Sequence, residues 1–170
     1  QIKEHWNKLA NVIKYTFNLL RSQAFVDSSS EINSIYALIP IVVYTYNKDA
    51  QLKEIEIKKL IKWFYYSQLG MRYSSQIQSK LDKDIGIAIS EQYPFEKLLS
   101  NLQNEKGLQL TPDSFIGVNI NHPLFNIMRW YFKSKNAPPP HSGQRGSAPY
   151  TQPSTQRSTS SDLLPPTFWP

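Results

Sequence analysis

The chain has no cysteine among its 170 residues. That excludes disulfides and thiolate metal sites, and it fits a reducing compartment. Only six glycines are present, and none forms a Gly-rich phosphate loop. No Gly-x-Ser-x-Gly elbow and no His-Glu-x-x-His helix occurs. His5, His122 and His141 lack metal-ligand spacing. Asp82 and Asp84 fall on opposite flanks of one helix, so they do not make an acid/base pair. The longest apolar run, Ile35 to Tyr46, is twelve residues with Pro40 inside it. A membrane helix needs about 20. The first turn, Ile2-Lys3-Glu4-His5, has no apolar leader region. The reading is a soluble, cytoplasmic protein with no metal or other cofactor of its own. The first residue is Gln1 rather than Met, as expected of a piece of a larger protein.

What is present is helical periodicity. Ile2, Trp6, Leu9, Ile13, Phe17 and Leu20 recur at helical spacing, which predicts an amphipathic helix over 2–24. Lys3, Lys14 and Arg21 lie off the centre of that stripe. Ser28-x-x-Glu31 has capping-box spacing and predicts the start of a second helix, the most buried one. Ile32, Ile35, Tyr36, Ile39, Val42, Val43 and Tyr46 continue it, and Pro40 should kink it. A strand over 41–46 is the rival, disfavoured because nothing strand-like exists to pair with it.

Asn47-Lys48-Asp49 reads as a turn, with Asp49 a candidate N-cap. A third helix follows from about 50 to 69, with apolar stripes on two sides and Gly70 as a left-handed stop. Ser75-x-x-Gln78 should cap the fourth, whose apolar face is Ile77, Leu81, Ile85, Ala88 and Ile89. Asp84 falls on that same face and needs a partner; Arg72 is the nearest candidate cation. Pro94 ends this helix and opens the next, which stops at Gly107. Thr111-Pro112 and His122-Pro123 start two more. The fold class is therefore all-α, an irregular bundle of about seven helices over residues 1–136.

The composition changes at residue 137. Residues 137–170 hold eight of the twelve prolines and no Lys, Ile or Val. Such a segment cannot bury enough apolar surface to offset its ordering entropy, so a disordered tail is expected. A frame slip or a vector remnant explains the change as well as a native tail does. The tail holds Arg145, Arg157 and Asp162, a net +1, leaving the body +5 of the chain's +6.

Lys58, Lys59 and Lys62 form a basic ridge, with Arg72 and Lys80 further along; together they are the candidate nucleic-acid contacts. The competing reading is a solvated face, since Glu54 precedes Lys58 by four. Trp63, Tyr65, Tyr66 and Tyr73 could stack on bases, but helical spacing favours core.

The stretch Lys62-Trp63-Phe64-Tyr65-Tyr66, then Arg72-Tyr73-Ser74-Ser75, then Lys80-Leu81-Asp82-Lys83-Asp84-Ile85 resembles the helical region of GmrSD-type restriction endonucleases. That family shows a Trp-Phe/Leu helix, an Arg-Tyr-Ser turn and a Leu-x-x-Asp helix in this order. The resemblance covers about 1–135 and is specific around 60–85. It implies a parent protein that restricts phage DNA in bacteria, using a nucleotide and a divalent metal. A ParB/sulfiredoxin-like module with an Asp-Gly-Gln-Gln-Arg motif would precede this region, and often an HNH nuclease module would follow. Neither motif occurs here, so no catalytic residue carries over. The implied role is coupling of those flanking modules, without catalysis by this piece. The alternative is a stand-alone helical protein–protein interaction domain with a Pro-rich tail. Oligomeric state is not legible in the sequence.

Overall fold

The computed structural model describes residues 2–106, 108, 110–120 and 122–136; the tail expected from 137 onward lies outside them. Among the described residues the architecture is all-α, with no strand. The helices are α1 (Ile2–Gln23), α2 (Leu38–Asn47), α3 (Glu54–Leu69), α4 (Ile77–Ser90), α5 (Pro94–Lys106) and α6 (Pro123–Ser134). Short 3₁₀ turns lie at Ser29–Glu31, Ile35–Ala37 and Pro112–Phe115. The last of these is the short sixth helix expected at Thr111-Pro112, here a single 3₁₀ turn.

α3 is the centre of the core. Its Leu60, Trp63 and Phe64 are wholly buried. Trp63 meets Phe95 of α5 at 5.7 Å between ring centroids, and Phe64 meets Trp130 of α6 at 5.8 Å. Tyr65 stacks on Trp130 at 5.5 Å, and its hydroxyl donates to the Ala24 carbonyl. The central aromatics are thus core, as their spacing favoured. α2 packs against α1 and α4, and α4 packs against α5. The 41–46 segment is helical, so its β-propensity yields to tertiary packing.

Four local expectations are corrected. The second helix does not begin at Ser28. Ser28 Oγ accepts from Ser30 N–H, but only one 3₁₀ turn follows, because the Glu31 carboxylate turns toward α6 instead of closing a capping box. α2 starts ten residues later, at Leu38, so Pro40 lies in its first turn, where no helical donor is lost and no kink is required.

α3 starts at Glu54 rather than near 50, because Asp49 and Ala50 are left-handed at φ 51° and 58°. Glu56, at the third position of α3, accepts from Lys53 N–H at 2.8 Å. Gln76, not Ser75, occupies the N-cap of α4, with φ 51°. Gly70 is not left-handed (φ −77°); Met71 makes that turn at φ 46°. His122 does cap α6, its Nδ1 accepting from Leu124 N–H at 3.2 Å.

The stripe expected to bury α1 is also displaced. Val12, Thr16, Leu19 and Leu20 are the buried residues of α1. Trp6, Ile13 and Phe17 stay 68 %, 38 % and 42 % exposed.

α6 is fastened through the buried Glu31. Its carboxylate accepts from Trp130 Nε1 at 2.8 Å and Arg129 Nη2 at 3.2 Å, with Lys133 Nζ at 3.4 Å. Asn126 Nδ2 donates to the Glu31 carbonyl at 2.8 Å. Glu31→Ala removes an acceptor shared by three side-chain donors and the Asp27 N–H, and leaves the buried Trp130 indole N–H unpaired. It should cost about 2–4 kcal/mol in denaturant unfolding. Hydrogen exchange should show protection lost first in α6; uniform loss across all helices would contradict this anchoring role.

Candidate functional site

The junction between α3 and α4 positions the most unusual cluster of side chains. A Cβ on Gly70 would come within 2.9 Å of Leu108 Cδ1 and 3.2 Å of the Tyr66 carbonyl oxygen, so the glycine permits a close approach. Met71 then reverses the chain, and Arg72 N–H returns to the Ser67 carbonyl at 3.0 Å. This places Arg72 and Tyr73 beneath α4.

There Arg72 and Asp84 pair as the register of α4 suggested. Arg72 Nε donates to Asp84 Oδ2 at 2.9 Å and Nη2 donates to Oδ1 at 2.8 Å. Their side chains are 1 % and 0 % exposed. Tyr73 O–H adds a third donor, at 2.7 Å from Asp84 Oδ2. Arg72 Nη1 reaches Glu105 of α5 at 2.5 Å, and Lys80 Nζ donates to the Arg72 carbonyl at 3.1 Å. One guanidinium therefore joins the α3–α4 turn, α4 and α5. The two-pronged geometry is the strong form of an arginine–carboxylate contact.

Burial by itself would lower the Arg72 pKa, but hydrogen bonds to Asp84 and Glu105 outweigh it and raise it further. Burial would raise the Glu105 pKa, and its Arg72 contact pulls it below the usual carboxylate range instead. Burial and the neighbouring Asp84 charge push the Tyr73 hydroxyl well above its ordinary value. The Tyr73 hydroxyl stays protonated and, with the Arg72 guanidinium, fixes Asp84 through three hydrogen bonds. The cluster is a structural joint.

A recess of about 270 Å³ adjoins it, lined by Asn33, Ser34, Ile35, Tyr36, Met71, Tyr73 and Ser74. The Tyr36 and Tyr73 rings lie 6.4 Å apart. At one side the buried Gln68 amide clasps Ser34: Oε1 accepts its N–H at 2.9 Å and Nε2 donates to its carbonyl at 3.2 Å.

A third buried carboxylate, Glu56, accepts from Tyr44 O–H at 2.5 Å, with Lys48 Nζ at 3.4 Å. Burial would raise its pKa; the Tyr44 and Lys53 hydrogen bonds and the Lys48 charge bring it below the ordinary 4.5.

The expected nucleic-acid residues do not assemble as a set of available cations. Lys58 pairs with Glu54 at 2.8 Å. Lys59 pairs with Glu96 at 2.6 Å and lies over the Tyr93 ring. Lys62 is half-buried, and Lys80 is turned to the Arg72 carbonyl. Arg72 is a correction: a guanidinium sealed in the protein cannot reach a phosphate. Among the described residues, no group of three or more His, Cys, Asp or Glu could hold a metal, and no helix is long and apolar enough to cross a membrane. Comparison with protein-family models, curated proteins and solved structures finds no match.

Sequence reasoning missed Tyr73 and Glu105 as members of the cluster, and Glu31 and Glu56 as buried anchors. Tyr73 was legible as an aromatic beside the arginine. Glu105 carries no such signal, lying 33 residues from Arg72 on another helix.

Arg72→Ala and Asp84→Ala should each cost about 3–5 kcal/mol, because each strands a buried charge. The double variant should cost much less than their sum. Strict additivity in a double-mutant cycle would show that the two do not act as a pair. Glu56 gives a pH signature. Since its folded-state pKa is lowered, its stabilisation is complete above 4.5 and is lost as pH falls through the folded value. Glu56→Gln should therefore be less stable than the parent at neutral pH, with the gap narrowing as pH falls below 4.5. A gap that widens on acidification would reverse the assignment.

Proposed function

We propose that this chain is the helical middle region of a GmrSD-like DNA-restriction protein, coupling a nucleotide-sensing module to a nuclease module without catalysing either reaction. One observation carries this reading. Two of the three stretches behind the resemblance meet in one buried centre, where Arg72 and Tyr73 of the first bond Asp84 of the second. Such a motif pair reads as the signature of a joint. A joint that fixes the angle between helices is what a coupling element needs, because displacement at one end then reaches the other.

DNA contact in this reading is secondary, electrostatic and sequence-independent, since the ridge lysines Lys58 and Lys59 already have acidic partners. The nucleotide and the divalent metal belong to the flanking modules. A second reading, a stand-alone protein–protein interaction domain, is favoured by the exposed apolar residues of α1.

The flanking coding sequence separates the two. The first reading expects Asp-Gly-Gln-Gln-Arg upstream and an HNH motif downstream. It also expects that Asp84→Asn in the intact gene abolishes phage restriction, while the isolated domain with Mg²⁺ leaves DNA uncut. A gene encoding this domain alone, or metal-dependent cleavage by the purified chain, overturns it.

A further inference from the structure

The outer face of α1 carries an apolar strip that this domain covers only in part, at the end where Phe17 and Arg21 border a recess shared with Val26, Asp27 and Ile32. Trp6, Ala10, Ile13 and Phe17 follow one another at intervals of four, three and four residues, and all four are exposed. This is the a/d spacing of a coiled-coil seam. At 100° per residue the four side chains fall within a strip about 60° wide. The buried residues Val12, Thr16 and Leu19 occupy a separate face, and buried Leu20 borders the strip beside Ile13. Along the solvent side of the strip run Lys3, Lys14 and Arg21, all exposed. Lys8, in contrast, is on the inner side, paired with Asp49 and lying over the Tyr46 ring. The one acidic residue of the helix, Glu4, lies about 150° round from the strip.

We propose that this face docks an amphipathic helix of a partner protein, one with apolar residues at heptad spacing and Asp or Glu along one flank. Three features select that occupant. A strip this narrow matches a helix–helix seam, whereas a helix lying in a lipid surface presents a wider apolar face. Ala10 at its middle lets a second backbone approach closely. The basic rail fits an acidic flank and opposes a second copy of α1, which would bring Lys3, Lys14 and Arg21 against like charges. From Trp6 to Phe17 the seam is about 16 Å long, so roughly three turns of partner helix suffice. The inference stands on α1 alone and is independent of the restriction-protein reading.

The test titrates the full chain with a panel of synthetic helical peptides, leucine at a and d, identical except for Glu or Lys on the flanking positions. The Glu-flanked peptides should bind at least about tenfold more tightly at low salt, with the preference fading at high salt. Ile13→Asp with Phe17→Asp should abolish binding, with some loss of melting temperature, since both side chains are more than half covered. Lys14→Glu with Arg21→Glu should reverse the peptide preference. That reversal tests the proposal even if the apolar variants fail to fold. Equal binding of both peptide types, or no binding by any acid-flanked peptide, overturns it. So does a concentration-dependent dimer that Ile13→Asp dissolves, which would make the occupant a second copy. Binding to phosphatidylserine vesicles in place of peptides would assign the face to a membrane.

Discussion

A guanidinium removed from water is tolerable only if nearly every donor finds an acceptor, and the centre of this domain is arranged to satisfy Arg72. Two of its prongs grip Asp84 and a third reaches Glu105. The surrounding backbone follows from that requirement. The turn after α3 must be tight, α4 must present its carboxylate inward, and α5 must run close enough to contribute another. Hydrophobic burial supplies most of the driving force for such a bundle, but it does not choose between similar helix angles. A forked, directional contact does.

The same device recurs at weaker grade. Glu31 holds α6 against the segment between α1 and α2, and Glu56 holds the entrance of α3 against α2. Each of these acids lies at or beside a non-helical junction, where backbone groups lack helical partners. The carboxylates serve as connectors at the places where the helical pattern stops. Elsewhere, among the described residues, the core is less scrupulous: the Thr16, Ser34 and Thr45 hydroxyls and the Trp63 indole N–H are buried without a protein hydrogen-bond partner. Those are neutral groups, whose burial costs far less than that of an unpaired charge.

Most of the helices were legible in the sequence because apolar periodicity and Pro-initiated starts are local signals; Pro94 and Pro123 do open α5 and α6. The pairing of Arg72 with Asp84 was legible for a related reason. A carboxylate in phase with Ile77, Leu81 and Ala88 must be buried, and a buried carboxylate needs a cation. What stayed hidden depended on contacts distant in sequence. Ser28-x-x-Glu31 satisfies the capping pattern, yet Glu31 is claimed by a tryptophan 99 residues away. Gly70 matches a left-handed stop, yet the close approach of Leu108 explains it better. On α1 the apolar residues span two faces, and periodicity does not say which of them the domain keeps for itself.

The segment before α2 is held by two fasteners of different physical character. Glu31 is tied by charge to Arg129 and Lys133, whereas Gln68 grips Ser34 with an amide that neither titrates nor attracts counterions. Salt screens the partly exposed cations of the first and spares the second. The domain thus has a built-in order of disassembly. Rising ionic strength loosens the Arg129 and Lys133 contacts to Glu31 first, while the amide clasp on Ser34 keeps the segment bearing Tyr36 against α3 and the recess beside Tyr73 in shape.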